Sequence, residues 1–239
     1  MRTSLLSLAL GLTVLAGGCM GDLLKNSPMP GESAAQAKTR RQKVITGIQN
    51  WGGIVTVESG TSDALVINAD LHGFRSAGVL LDSLVPLTKL KSLNLYKTGF
   101  TDTDLERFRS LPGLEVLNLN DTQVTDAGLD VLRSLPTLRE LDLNHTRITD
   151  SGLLSFKGYP NLRELSLGHT PVTDDGLSHL RSLSKLEKLS LGGAGITDRG
   201  LAYLRKMPSL RALILVHTHV TADGIRELKK ANPKLDIVH

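Results

Sequence analysis

From Leu87 onward the chain repeats itself every 24 residues, and this period constrains the fold more than any other feature. Six copies begin at Leu87, Leu111, Leu135, Tyr159, Leu183 and Met207. The best-formed copy, LPGLEVLNLNDTQVTDAGLDVLRS, runs from Leu111 to Ser134. A unit this short cannot bury an apolar face alone. It must stack on its neighbours, and the result is an elongated array in which each unit touches only the next.

Each segment of the unit has a physical role. Leu117 and Leu119 alternate with Val116, Asn118 and Asn120. That is the period of a strand, with leucines inward and the other set outward. Thr122 turns the chain, its hydroxyl satisfying a nearby backbone group. Val124 re-enters the core. Thr125-Asp126 opens a short helix, with Thr as N-cap and Asp at the positive end of the dipole. Leu129 and Leu132 bury one helical face, and Arg133 closes the helix. Aromatic residues are only 3% of the chain, so this core is stacked aliphatic side chains. Strands spaced about 4.8 Å apart on one layer, and helices about 8–10 Å apart on the other, must bend the array by roughly 20–25° per repeat, with the sheet inside the curve.

The step T-D-x-G-L recurs at Thr125–Leu129, Thr149–Leu153, Thr173–Leu177 and Thr197–Leu201. It resembles the ribonuclease-inhibitor-like leucine-rich repeats found beside F-box motifs and in their bacterial relatives, over about residues 60–239. The resemblance implies an α/β fold: a right-handed leucine-rich-repeat solenoid, or horseshoe, with an inner parallel β-sheet and outer short helices. No F-box-like segment accompanies it. Two positions depart from the pattern: Ala194 replaces the turn threonine of the fifth copy, and Ala222 replaces the acid of the sixth.

Upstream, residues 1–18 have the pattern of an export signal: Arg2, an apolar run from Leu5 to Leu15, then Ala16, Gly17 and Gly18. The join Leu15-Ala16-Gly17-Gly18-Cys19 resembles the lipobox of bacterial lipoproteins, with Ala16 where Leu is commonest. The resemblance implies acylation of Cys19 and a lipid-anchored cell-envelope protein. Met20, following the cysteine, implies the outer membrane if the cell has one. Ordinary cleavage after Gly18, giving a secreted or periplasmic protein, is the alternative. Cys19 is the single cysteine, so no intrachain disulfide can form. Residues 19–37, rich in Gly, Pro, Ser and Ala, are expected to be a flexible tether. Residues 38–86 are expected to form an N-terminal cap and a divergent first repeat. Val44, Ile48 and Trp51 lie at helical spacing, and Ile54–Val57 and Leu65–Asn68 have strand character. The six repeats span 87–230 and a C-terminal end follows over 231–239.

The formal charge is +4. Lys38, Arg40, Arg41 and Lys43 carry +4, Arg2 adds +1, and Asp22, Lys25 and Glu32 sum to −1, leaving zero for residues 52–239. A nucleic-acid partner is therefore not expected, because such a domain keeps positive charge on its folded surface. The cluster 38–43 either rests on anionic headgroups beside a lipid anchor or is a solvated helix start.

No nucleophile motif, P-loop or dinucleotide fingerprint occurs, and neither an enzyme nor a cofactor is expected. His145, His169 and His217 share one repeat position, but lack a cysteine or carboxylate partner at a known ligand spacing, so no metal is expected. The basic residues Arg109, Arg133, Lys157, Arg181, Arg205 and Lys229 end the helices and complement their dipoles.

The outward sheet columns are more informative. They are Ser92, Val116, Glu140, Glu164, Lys188, Ala212; Asn94, Asn118, Asp142, Ser166, Ser190, Ile214; and Tyr96, Asn120, Asn144, Gly168, Gly192, Val216. Like charges side by side, as at Glu140 and Glu164, cost stability and nothing in the repeat demands them. Gly168 and Gly192 are expected to leave a bald strip open to a partner. The expected partner surface is Asn118, Glu140, Asp142, Asn144, Glu164, Ser166, Gly168 and Lys188. Two functions follow: a non-catalytic protein- or peptide-binding module tethered in the envelope, or a structural, envelope-organising spacer without a specific ligand.

Overall fold

The computed structural model describes residues 33–50, 54–58, 65–71 and 90–239. The expected export signal and Cys19 lie outside them, as do Trp51 and the start of the first repeat. Within this set a nine-stranded sheet runs in chain order: Ile54–Glu58 (β1), Leu65–Asp70 (β2), Ser92–Asn94 (β3), Val116–Asn118 (β4), Glu140–Asp142 (β5), Glu164–Ser166 (β6), Lys188–Ser190 (β7), Ala212–Ile214 (β8) and Asp236–Val238 (β9). β1 and β2 pair antiparallel; every later pair is parallel. The fold is the expected α/β solenoid, with short helices behind a parallel sheet.

Register follows from the period. A step of 24 residues brings equivalent positions together, so Leu93, Leu117, Leu141, Leu165, Leu189 and Leu213 line up strand to strand. All six are buried, and Leu95, Leu119, Leu143, Leu167, Leu191 and Leu215 form a second buried column. Each fully buried leucine contributes about 1.5–3 kcal/mol, and a ladder of like side chains repeats that contribution at each step.

The chain leaves each strand through a left-handed residue: Lys97, Asp121, His145, His169, Gly193 and His217 have φ between 54° and 71°. A threonine, buried in all but the half-buried Thr218, then secures the turn. The Thr122 hydroxyl donates to the Leu119 carbonyl (2.7 Å), and Thr98, Thr146, Thr170 and Thr218 make the same bond. At Ala194 only the backbone bond to Leu191 remains.

The helical layer is less uniform than the sequence suggested. α-Helical turns occur at Asp102–Leu105 (α2), Asp126–Leu132 (α3), Asp174–Leu177 (α4), Asp198–Leu204 (α5) and Ala222–Ala231 (α6). α2 and α4 tighten into 3-10 turns, and the third copy is 3-10 throughout, over Gly152–Gly158. Segments this short gain little from α-helical cooperativity, so the tighter turn is tolerated.

The T-D-x-G-L step does more than cap a helix. Each Asp reaches forward to the next copy. Asp102 accepts the backbone N–H of Thr125 on Oδ1 (2.9 Å) and its hydroxyl on Oδ2 (2.6 Å). Asp126, Asp150, Asp174 and Asp198 do the same to Thr149, Thr173, Thr197 and Thr221. The glycine makes room. A Cβ on Gly152 would strike Asp126 Oδ1. Dipole compensation, the role expected for these acids, is thus secondary to an inter-repeat ladder. Where Ala222 stands in place of Asp, the ladder stops.

At the N-terminal end, helix α1 spans Ala34–Asn50 and sets Ile45 and Ile48 into the core. It starts four residues inside the stretch 19–37 expected to be tether, because Ser33 and Gln36 form a capping box: the Ser33 N–H donates to Gln36 Oε1 (2.8 Å), and the Gln36 N–H donates to Ser33 Oγ (3.4 Å). Of the spacing Val44, Ile48, Trp51, only the Ile48 side chain is among the described ones, and Ile45 joins it. Among the described residues, no helix is long and apolar enough to cross a membrane.

Candidate binding face

Strands β4 to β7 carry Asn118, Glu140, Asp142, Glu164, Ser166 and Lys188, and Asn144 and Gly168 lie two residues beyond β5 and β6. Register pairs Val116 with Glu140, Glu140 with Glu164, and Glu164 with Lys188; beside them Asn118 pairs with Asp142 and Asp142 with Ser166. Glu140 and Glu164 are therefore direct cross-strand neighbours, as the columns required. Lys188 Nζ lies 3.1 Å from Glu164 Oε2. Glu140 makes no ion pair among the described residues. Partial burial and the Glu164 charge beside it raise the Glu140 carboxyl above its ordinary value, against a smaller lowering by Lys188.

The second column is bound into the backbone. Asn94 Oδ1 accepts from the Tyr96 N–H, Asn118 Oδ1 from Asn120, and Asp142 Oδ1 from Asn144, at 2.9–3.0 Å. These are local side-chain bonds that hold the strand's exit, which explains the amide-rich start of the face without a ligand. Asp142 keeps its carboxyl above the usual value because burial outweighs its bonds from Asn144 and Asn120. The Asn120 amide oxygen is itself buried without a partner among the described residues.

The bald strip is a correction. Gly168 and Gly192 are buried, not bare. Asn144 crosses to the next strand and its Oδ1 accepts the Gly168 N–H at 2.6 Å; a Cβ on Gly168 would meet that oxygen at 2.8 Å and the Gly192 carbonyl at 2.9 Å. Val216 covers Gly192 in the same way, its Cγ2 lying 3.0 Å from where a Cβ would stand. The glycines accommodate neighbours, so Gly168 offers no cleft, and the open part of the face is Glu140 and Lys188 with the half-buried Asn118, Asp142, Asn144, Glu164 and Ser166.

One column was missed. Lys91, Glu115, Arg139, Arg163, Glu187 and Arg211 recur at the same 24-residue spacing, one place before the strands. They form a charged rim: Lys91 pairs with Glu115 (3.1 Å), Arg139 with Glu115 (3.8 Å), and Arg163 with Glu187. The period alone, extended one residue upstream, would have found it.

The histidine column is a packing feature. The rings of His145 and His169 stack with centroids 4.4 Å apart and planes 10° apart, and His169 in turn covers Gly193. Stacked rings show each other faces rather than converging nitrogens, and the described residues hold no group of three metal-ligating side chains. The helix-end cations Arg109 and Arg133 pair with Glu106 (2.7 Å) and Asp130 (3.6 Å), exposed pairs of little energetic weight.

Comparison with known proteins agrees with this geometry. Residues 88–148 match the family described as Leucine rich repeat, 136–182 the family Leucine Rich repeats (2 copies), and 182–204 a further Leucine Rich repeat family. No curated protein sequence matches. Among solved structures, internalin C2 of Listeria monocytogenes is similar in fold, with a TM-score of 0.56 and 22% identity over 83% of this chain and 91% of the internalin. A leucine-rich-repeat protein of Leptospira interrogans is similar with a TM-score of 0.50 and 25% identity over 66% of this chain, which spans only 39% of that protein.

Proposed function

We propose, taking as premise that this is a leucine-rich-repeat protein, that it is a non-catalytic module binding a protein or peptide through the open sheet face. Repeats of this kind are generally protein-binding modules, and a rigid parallel sheet loses little order when it binds. The observation that carries the reading is the Glu140–Glu164 pair. The fold uses its other recurrent acids, those of the Asp–Thr ladder, to hold repeats together. It gains nothing from two carboxylates side by side on an exposed sheet, one of them unpaired. A partner presenting a basic or amide-rich protrusion relieves that repulsion. The reading includes a tether in the cell envelope through an acylated Cys19, supported by the lipobox-like join and by that cysteine being the single one in the chain.

A photo-crosslinking residue at Asn118 in live cells tests the face. A discrete adduct is expected, lost in Glu140→Lys/Glu164→Lys and kept in Arg133→Glu/Arg181→Glu. Loss in the second variant alone would move the site to the helical side. Failure to obtain any adduct favours the second reading, a spacer without a ligand. That alternative draws on the self-satisfied bonds of Asn94, Asn118 and Asp142. Retention of Cys19→Ser in the membrane fraction as firmly as the parent protein would remove the lipid tether.

A further inference from the structure

The net charge of the chain is confined to its first part, and the structure shows where part of it sits. Residues 52–239 sum to zero, and between Glu32 and Glu58 the sequence has no acidic residue while carrying Lys38, Arg40, Arg41 and Lys43. All four lie on α1 (Ala34–Asn50). Among its described side chains, those that reach the core are Ile45 and Ile48, near its end. Every described residue from Ser33 to Lys43 is exposed. At a rise of 1.5 Å per residue the ten residues Ala34–Lys43 make a rod about 15 Å long, and along it the described side chains, Lys38 and Lys43 among them, are exposed. Elsewhere, cations unpaired among the described residues, such as Lys157 and Lys206, are interspersed with paired ones such as Arg109 with Glu106 and Lys230 with Glu227, and the charge of residues 52–239 balances to zero. Lys38 and Lys43 have no such partner among the described residues. Their face, with Thr39, Gln42, Thr46 and Gly47, borders a hollow of about 530 Å³, and at Gly47 a Cβ would meet nothing within 4 Å.

We propose that the first three turns of α1 are a docking surface for an anionic bilayer. The chemistry is that of lysine and arginine residues gathered on a helix with no acidic residue of its own, next to phosphate headgroups, each contributing to attachment within a Debye length of the membrane. The helix is polar on the exposed face, so it lies on the headgroups instead of inserting. Docking there orients the array with its N-terminal cap against the membrane and its repeats leading away. The inference does not depend on acylation. Where Cys19 is acylated the two act together, because the 14 residue steps from Cys19 to Ser33, at the start of α1, span at most about 50 Å when fully extended.

The test uses the full chain carrying Cys19→Ser, so that no acyl group contributes. The protein is mixed with vesicles of phosphatidylglycerol and phosphatidylcholine, or of phosphatidylcholine alone, and lysine acetylation is mapped by mass spectrometry. Lys38 and Lys43 should be protected on the anionic vesicles at about 0.1 M salt. They should be unprotected on the neutral ones, and unprotected again at about 1 M salt, where the Debye length falls to about 3 Å. Lys229 and Lys230, at the far end of the array, should react alike throughout. The variant Lys38→Gln/Lys43→Gln should partition about 30-fold less onto the anionic vesicles. Equal protection at Lys229 and Lys230, the same protection on neutral vesicles, or undiminished partition of the double variant overturns the proposal. Loss of an Asn118 adduct in cells leaves it untouched, since that result concerns the sheet face.

Discussion

Two sets of carboxylates run along this molecule, one on each side of the repeats, and they are held in opposite ways. The aspartates of the inter-repeat ladder accept two hydrogen bonds each from the next threonine. At Asp198 the bonds from the Thr221 hydroxyl and backbone hold the carboxyl below its ordinary value. On the sheet face, burial and the neighbouring Glu164 push Glu140 upward, and burial does the same to Asp142. One set makes the stack adhere. The other is carried at an electrostatic cost. The difference separates acids that the fold uses, Asp142 among them through its bond from the Asn144 N–H, from Glu140, which no described bond of the fold engages.

Three measurements bear on that contrast. The largest effect is expected at Gly152→Ala. In an ordinary helix interior this exchange stabilises by about 0.5–1 kcal/mol. Here the new methyl strikes the Asp126 carboxylate, so urea unfolding should show a loss of about 3 kcal/mol from overpacking and broken ladder bonds together. A gain in stability would mean the ladder gives way at no cost.

Next is the pair Asp126→Ala and Glu140→Ala. Removing Asp126 strands the Thr149 N–H and hydroxyl, and should cost about 2 kcal/mol. Removing Glu140 breaks no described bond and relieves Glu164, so it should be neutral or slightly stabilising. Equal midpoints for the two variants would erase the distinction.

The smallest effect is the pH dependence of individual groups. Asp198, with its folded pKa lowered, contributes stability that is present above its unfolded pKa and lost as pH falls through the folded one. Glu140 and Asp142, with folded pKa values raised, contribute stability that is present below their unfolded values and lost as pH rises through the folded ones. Carboxyl-carbon NMR titration should therefore place Asp198 below an ordinary aspartate, and Glu140 and Asp142 above their reference groups. A normal titration at Glu140 would remove the frustration invoked for the binding face.

What the sequence discloses depends on the range of each interaction. The period dictates register, so the neighbours of Leu117 and of Glu140 are legible in the repeat alone. The turn threonines are legible too, because Thr122 bonds a carbonyl three residues away. The ladder is not. Thr125 and Asp126 obey the rules for a local helix start so well that a contact 23 residues away has no separate signal, except that acid, threonine and glycine recur together. Gly168 misleads for a similar reason: the lack of a side chain suggests open space, while Asn144, one repeat earlier, fills it. The start of α1 lies in plain view as Ser33 and Gln36, but is obscured by a composition typical of linkers.

The forward reach of the ladder also sets an arithmetic for how such a chain can change its length. Each aspartate needs a threonine 23 positions ahead, and each threonine needs an aspartate 23 behind. Duplicating or excising one whole 24-residue unit between Asp102 and Thr221 preserves every pair. Inserting any other number of residues within a unit separates a donor from its acceptor and throws the leucine columns out of step at the same point. At Ala222 the rule changes, because a unit spliced in after that residue inherits no carboxylate from the one before. The array is thus elastic in whole units along its body and closed to growth at one end, a polarity written into a single methyl side chain.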